Sequence, residues 1–451
     1  MRDTQTKYNK IAILGFGITG QSAIRYFSQI GVKEIHVFER QAEDIFSKNI
    51  SIDSFRLPGV DIHFGSDVIE NISNFDMLMA SPGCPITHPS IQAALKKNIT
   101  VHNDITYFLK EWRKIGPIVG VTGSNGKSTT VSLLHHVLNT ISRPNILVGN
   151  IGNSPLADLL KEHKPGTIVI TELSSYQLEL FKDDDYVDIA VITNLTENHL
   201  DRYEGNMQLY ADAKMKIAHP DKTELILVAD DAGTQKYILP KVNKTVVQAI
   251  SLFDLSSEAQ QFADPENRML KGEHNLYNIA MVVEVLKKLD IKIDAQVAEA
   301  IRTYAGLEHR LEFVRELDGV RYINDSKSTS ADSMRVALEA LGDQKNLVLL
   351  AGGSDKGGTF QSVSDHFNQY VKFIVTLDGY DSTVKKIKDT AAKNDIETAH
   401  AMNMTEAVKI ARHHAKAGDT VLLSPGGGHI FNLANFEVSG RTFKDEINKL
   451  C

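Results

Sequence analysis

The chain has 451 residues, 42% of them hydrophobic and 24% charged, with a formal net charge of −8; at roughly 100–200 residues per domain that allows two to four domains. The acidic balance argues against a nucleic-acid partner, and two cysteines, Cys84 and Cys451, exclude a disulfide framework and a multi-cysteine zinc site. No apolar run approaches the ~18 residues of a membrane helix and the polar start reads as no signal peptide, so a cytoplasmic protein with no membrane insertion is expected.

The polar stretch 1–10 runs into an apolar strand, Ile11–Leu14, followed by GFGITG. Gly15, Gly17 and Gly20 stand in the G-x-G-x-x-G pattern, which places a nucleotide-type ligand against backbone N–H groups at a helix N-terminus. Glu39 closes the next strand-like run, IHVFE, about 20 residues on, where a ribose-binding acid is expected. Taken alone, this block also fits an NAD-binding oxidoreductase domain or a ligand-free βα turn. It closes near Asn103.

A second strand, Ile118–Val121, leads into GVTGSNGKSTT, Gly120 to Thr130, and a helical stretch over Thr129–Thr140. Gly123, Ser124, Asn125 and Gly126 can turn backbone N–H groups around phosphate oxygens. Lys127 then reaches the β- and γ-phosphates, and the hydroxyl of Ser128 or Thr129 approaches Mg²⁺. The standard P-loop has a glycine where this chain has Val121. Further strands read at Ile168–Ile170, Ile189–Ile192 and Leu225–Val228, with a helix over His274–Leu289. Glu172 ends the run TIVITE, so its carboxylate projects from a strand end, where it suits Mg²⁺.

A third block begins near His309, with strands at Leu347–Leu350, Phe373–Leu377 and Val421–Leu423. Unbroken apolar runs of this kind belong to strands covered on both faces. The expected fold class is α/β in three domains. Residues 1–104 form a Rossmann-like domain, 105–306 a central P-loop ATPase-like domain with a mostly parallel sheet, and 307–451 a second Rossmann-like domain.

From the P-loop onward the motifs come in a fixed order: GSNGKST, GNIG at Gly149–Gly152, ELSSYQLE at Glu172–Glu179, NLTENHLDR at Asn194–Arg202, and AK at Ala213 and Lys214. HNLYN at His274–Asn278, EHR at Glu308–Arg310, NDSKST at Asn324–Thr329, GGSDKG at Gly352–Gly357 and LLSP at Leu422–Pro425 follow. From about residue 10 to 445 the chain resembles the Mur ligases, which build the peptide stem of peptidoglycan. GFGITG and SPG, Ser81–Gly83, resemble the branch that adds D-glutamate.

The resemblance implies an ATP- and Mg²⁺-dependent amide ligase acting on UDP-N-acetylmuramoyl-L-alanine, D-glutamate and ATP, and expected to work as a monomer. The substrate carboxylate is phosphorylated to an acyl phosphate, which the amine of the amino acid attacks. Lys127, Glu172, His199 and Lys214 are the implied catalytic residues. Ser128, Glu172, His199 and a carbamylated Lys214 face the metal. Asn278 is implied at adenine, and Arg310, Asp325 and Lys327 close over ATP from the third domain. Gly17, Ile18, Thr19, Glu39, Ser81, Asn150, Ser174 and Gln177 hold the UDP substrate; Thr329 and Lys356 hold the incoming amino acid.

The family pattern after LLSP carries a serine for the glutamate side chain, followed by an aspartate and an aromatic residue. This chain reads Gly426, Gly427, Gly428, His429, Ile430, Phe431, Asn432 and Leu433. His429 stands in for the serine as a donor to a carboxylate, and Phe431 is a candidate for the missing ring. L-glutamate, a sister ligase or a folylpolyglutamate synthase remain alternative readings, with an NAD-binding oxidoreductase more distant.

Overall fold

A computed structural model describes residues 7–46, 52–151, 154–196, 200–242, 247–270, 272–342, 345–354, 360, 363–377, 381–428, 430–431 and 433–450. The chain divides into two compact units, Met1–Tyr304 and Ala305–Cys451.

The first unit holds two sheets. One consists of β1 (Lys10–Leu14), β2 (Glu34–Glu39), β3 (Val60–Phe64), β4 (Met77–Ala80) and β5 (Thr100–His102), in spatial order β3-β2-β1-β4-β5, every neighbouring pair parallel. The strand order reverses between β1 and β4, and ligands of open parallel sheets bind outside the strand ends at such a point. The loops that meet there are the two motif loops: the Ser81 amide donates to Leu14 O at 3.0 Å, and the Ser81 hydroxyl to Gly15 O at 3.5 Å.

The other sheet contains β6 (Ile118–Thr122), β7 (Asn145–Gly149), β8 (Ile168–Glu172), β9 (Ile189–Ile192), β10 (Glu224–Val228) and β11 (Val247–Ile250), in order β11-β10-β9-β6-β8-β7, again all parallel. Alternate residues of β6 go to opposite cores, as a pleated strand requires. Val119 and Val121 pack with the helices Lys127–Thr140 and Glu273–Lys288. Ile118 packs on the other side with Phe108, Trp112 and Tyr210. With β8 on one side of β6 and β9 on the other, the P-loop emerges between the ends of two buried strands.

The second unit carries β12 (Glu312–Leu317), β13 (Val320–Asn324), β14 (Leu347–Gly352), β15 (Val371–Leu377), β16 (Thr398–Ala401) and β17 (Thr420–Gly426), in order β12-β13-β17-β14-β15-β16. β12 pairs antiparallel at the edge; the remaining pairs are parallel. The α/β class and the mostly parallel central sheet expected from the sequence are both present. Among the described residues no helix is long and apolar enough to cross a membrane.

Candidate active site

The P-loop is fixed by the segment that follows β9. Ser124 N donates to Asn194 O at 2.9 Å, Asn125 N to Asn194 Oδ1 at 2.9 Å, and the Ser124 hydroxyl to Thr196 O at 2.9 Å. Gly123 has φ +142°, and a Cβ there would lie 1.9 Å from Thr193 Oγ1. Gly126, the residue before the helix Lys127–Thr140, has φ +82°, and a Cβ there would lie 2.6 Å from Asn278 Oδ1. No side chain caps that helix, so its first turn presents N–H groups in the manner of an anion site. The Lys127 ammonium folds over the loop, donating to Gly123 O at 2.9 Å and Ser124 O at 2.7 Å.

Lys214 approaches from the helix Met207–Met215. It is 1% exposed and donates to Gly123 O at 2.7 Å, with its ammonium 4.5 Å from the centroid of the Tyr210 ring. Tyr210 is one helical turn earlier, so the two side chains share a face. Burial first, and the nearby Lys127 charge second, hold the Lys214 amine well below its ordinary pKa, against an opposing pull from Glu172. Glu172, the last residue of β8, is 1% exposed. Its Oε1 accepts from Asn150 Nδ2 at 2.8 Å, whereas Oε2 is buried without a hydrogen-bond partner. A carboxylate oxygen desolvated in this way is costly unless a cation faces it.

Lys127 and Lys214 open into a cavity of about 550 Å³, which Glu172 does not itself line. Its wall contains Gly123, Lys127 and Lys214 from the P-loop side, Asn150, Ser174 and Gln177 from the ends of β7 and β8, and Ile18 and Thr19 from the glycine loop of the first sheet. Eight residues singled out in the sequence are thereby brought to one cavity. Ser174 and Gln177 also form a reciprocal cap on the short helix Ser175–Leu178, with Gln177 N donating to Ser174 Oγ at 3.2 Å and Ser174 N to Gln177 Oε1 at 2.9 Å.

Other expected residues make contacts of their own within each unit. Both Glu39 oxygens accept backbone N–H bonds, from Phe16 at 2.9 Å and Gln41 at 3.0 Å, so Glu39 ties the end of β2 to the glycine loop. Asn278 packs against the P-loop, accepting from Thr130 Oγ1 at 3.3 Å and donating to Asn275 Oδ1 at 2.9 Å. In the second unit, Asp325 is buried and accepts from Ser424 Oγ at 2.9 Å and Leu311 N at 3.2 Å; burial pushes its carboxyl up to about 7. Arg310 is exposed beside it and favours its charged form. The Lys327 ammonium lies 5.9 Å from the Phe436 ring. Thr329 N donates to Lys327 O at 3.0 Å. Phe431 has φ +49° and packs on the apolar core of its unit. His199, Lys356 and His429 lie outside the described residues.

The cavity wall also includes Asp104 and Tyr210, which lie in no motif, and Pro82 and Tyr176, which lie within SPG and ELSSYQLE with no role assigned from the sequence. Asp104 accepts from Thr19 Oγ1 at 3.3 Å and Ile105 N at 3.0 Å, and burial raises its carboxyl to about 6. Tyr210 was within reach of sequence reasoning, since four residues separate it from Lys214 on a helix.

Three family models match the chain: the N-terminal domain of MurD-like Mur ligases over residues 9–103, the Mur ligase middle domain over 121–286, and the glutamate ligase domain of Mur ligases over 309–427. The UDP-N-acetylmuramoylalanine--D-glutamate ligase of Thermoanaerobacter pseudethanolicus is 31% identical, the match spanning 99% of either chain. The ligase of the same name from Clostridioides difficile is 31% identical over 98% of this chain and 99% of its own. Among solved structures, the UDP-N-acetylmuramate-alanine ligase MurC of Thermotoga maritima aligns with TM-score 0.55 at 18% identity, over 97% of this chain and 99% of that one. The MurF ligase of Thermotoga maritima in complex with ADP aligns at 0.53 and 15% identity, over 99% and 97%. At these identities the two structures show a shared fold.

Proposed function

The chain belongs to the Mur ligase family, and on that premise we propose that it joins D-glutamate to UDP-N-acetylmuramoyl-L-alanine at the expense of ATP, a cytoplasmic step in the supply of peptidoglycan precursors. One observation carries the reading: a single cavity is walled by the P-loop lysine, the buried Lys214 and the glycine loop of the first sheet. Such a cavity can hold a nucleotide-linked carboxylate against the phosphate loop.

The reaction needs little covalent help from the protein. A carboxylate oxygen of UDP-N-acetylmuramoyl-L-alanine attacks the γ-phosphorus of ATP, forming the acyl phosphate and releasing ADP. The amine of glutamate adds to the acyl carbon, and the tetrahedral adduct expels phosphate as the amide forms and the nitrogen gives up a proton. Lys127 and the N–H groups at the head of its helix stabilise the charge spread over the transferring phosphoryl group. Ser174, Gln177 and Asn150 orient the acceptor end of the substrate.

The residues present fit a divalent cation. Glu172 carries a buried, unpartnered oxygen close enough to act electrostatically on Lys214, and Ser128 supplies a hydroxyl at the head of the P-loop helix. These two would hold Mg²⁺, which when bound offsets the negative charge of the phosphates. Lys214 would join them by carbamylation: its neutral amine adds to CO₂ and gives up one N–H proton, leaving a carbamate anion that would help hold the metal. Its burial, which favours the neutral amine, supports this reading.

Phosphate release by the purified chain, given UDP-N-acetylmuramoyl-L-alanine, ATP and a panel of amino acids, tests the proposal. Turnover with D-glutamate is expected; turnover with none of the panel would reject it. Preference for L-glutamate is the second reading, favoured by the run Gly426–Gly428 and His429 where the family carries a serine.

A further inference from the structure

Arg202 sits behind the cavity and joins the two sheets of the first unit. Its Nε and Nη2 donate to the two oxygens of Glu179 at 2.9 and 2.7 Å. Three successive carbonyls of the turn after β4 complete the set: Gly83 O accepts from Nη1 at 3.2 Å, and Cys84 O at 3.2 Å and Pro82 O at 3.4 Å share the remaining N–H of Nη2. The guanidinium carbon lies 4.1 Å from the centroid of the Tyr176 ring. Glu179 is itself held by the Tyr203 hydroxyl at 3.0 Å, so the carboxylate that anchors the fork cannot swing away.

Pro82 and Tyr176 are both cavity wall, one from each sheet. The turn that carries Pro82 therefore reaches the central sheet through one planar cation. A guanidinium suits this place because its five donors lie in a rigid fork that can serve a carboxylate and several carbonyls at once while stacking on an aromatic face. An ammonium is a compact charge that cannot span the same set of acceptors.

We propose that Arg202 is a positioning residue for the nucleotide-sugar substrate. It fixes the 82–84 turn at one separation from Tyr176, so that a substrate held by the glycine loop of the first sheet presents its carboxylate to Lys127 in one register. The inference rests on the function proposed above. Arg202 touches neither ATP nor the reacting atoms, and its loss acts through the wall.

Calorimetric binding of UDP-N-acetylmuramoyl-L-alanine and steady-state kinetics of Arg202→Lys and Arg202→Ala test this. Arg202→Lys keeps the charge and the aliphatic stem. Both variants are expected to stay folded and to raise KM for the UDP substrate about tenfold, with KM for ATP within about twofold of wild type, since the wall that shifts meets one substrate only. Added guanidinium ion should recover part of the loss in Arg202→Ala, and ammonium should recover none. Wild-type affinity for the UDP substrate in both variants overturns the proposal. A parallel loss of affinity for both substrates, or failure of Arg202→Lys to fold, does so too, because the role would then be structural. If the wild-type chain itself does not bind the UDP substrate, the proposed function falls, a result distinct from any of these.

Discussion

The ammonium groups of Lys127 and Lys214 donate to the same acceptor, Gly123 O, at 2.9 and 2.7 Å. Two cations on one carbonyl repel each other, and the buried partner carries the cost: Lys214 is held well below its usual pKa, by burial first and by Lys127 second. The P-loop turn thus brings both nitrogens to the place where phosphate charge is expected. Lys127→Ala should lower kcat about 10³-fold or more, the loss seen when a donor to a developing anion is removed. Its melting temperature should stay near that of wild type. A folded variant with undiminished turnover would refute the assignment.

Lys214 is expected to carry a carbamate in the working enzyme. Incubation with ¹³C-bicarbonate and substrates should give a carbamate carbon resonance that Lys214→Ala lacks. The same variant should be inactive and partly rescued by acetate or formate, which restore an anion. A spectrum with no such resonance in a fully active wild-type sample counts against the idea.

Asp104 makes stability depend on pH in a defined direction. Its carboxyl is raised from the ordinary 3.8 to about 6 by burial, so the folded state favours the protonated form. Below about pH 4 both states are protonated and the group costs nothing; as pH rises through about 6 the penalty of a buried charge becomes complete, about 3 kcal/mol. Asp104→Asn should therefore be neutral at pH 4 and stabilising at pH 8 in thermal melts. Equal effects at the two pH values would show that the carboxyl is not desolvated.

Gly123→Ala should destabilise the chain by at least about 2 kcal/mol, because the residue has a positive φ and its Cβ would fall 1.9 Å from Thr193 Oγ1. Gly17→Ala is the matched control for the first glycine loop. Gly17 has φ −68° and a Cβ there meets nothing within 4 Å, so its melting temperature should match wild type. Differential scanning calorimetry of the pair separates the two cases; equal melting temperatures would contradict the loop geometry.

The glycine loop of the first sheet should bind the uridine nucleotide and not NAD. Glu39, the acid that a ribose would need, has both oxygens committed to backbone N–H groups. Titration calorimetry is expected to give heat with UDP-N-acetylmuramoyl-L-alanine and none with NAD. Tight NAD binding that the uridine nucleotide does not displace would reverse the assignment.

Strands covered on both faces were legible in the sequence and edge strands were not. β6, β8 and β9 are continuous apolar runs because both faces meet helices. β3, with the alternating pattern of Val60, Asp61, Ile62 and His63, and β16, with Thr398 and His400 half in solvent, dilute that signal. Central β4 escaped because its run, Met77 to Ala80, holds no β-branched residue, unlike the equally short β9. In the site, Lys127, Glu172 and Lys214 were readable because each sits in a short motif. Asp104 lies in no motif and was silent, and Pro82, Tyr176 and Arg202, though inside SPG, ELSSYQLE and NLTENHLDR, had no role legible there: their partners lie about 20 to 120 residues away, as in the span from Arg202 to Gly83. Asn278 was legible as a motif residue, yet its side chain proved to brace Gly126, a contact that depends on where the helix Glu273–Lys288 comes to rest.

Glu172 closes β8, a strand whose five residues are all buried, and it is flanked across the sheet by Val121 of β6 and Gly149 of β7. The carboxylate is thus set by a strand buried over its whole length, while Thr19, Pro82 and Tyr176 ride on the connections beyond it. Change in those connections, by drift or under selection by a cavity-filling inhibitor, can redraw which nucleotide-sugar is accepted and leave the phosphoryl-transfer apparatus where it was. Resistance to such an inhibitor should accordingly gather in the connections, whereas substitutions at the strand ends should be lost with the activity itself.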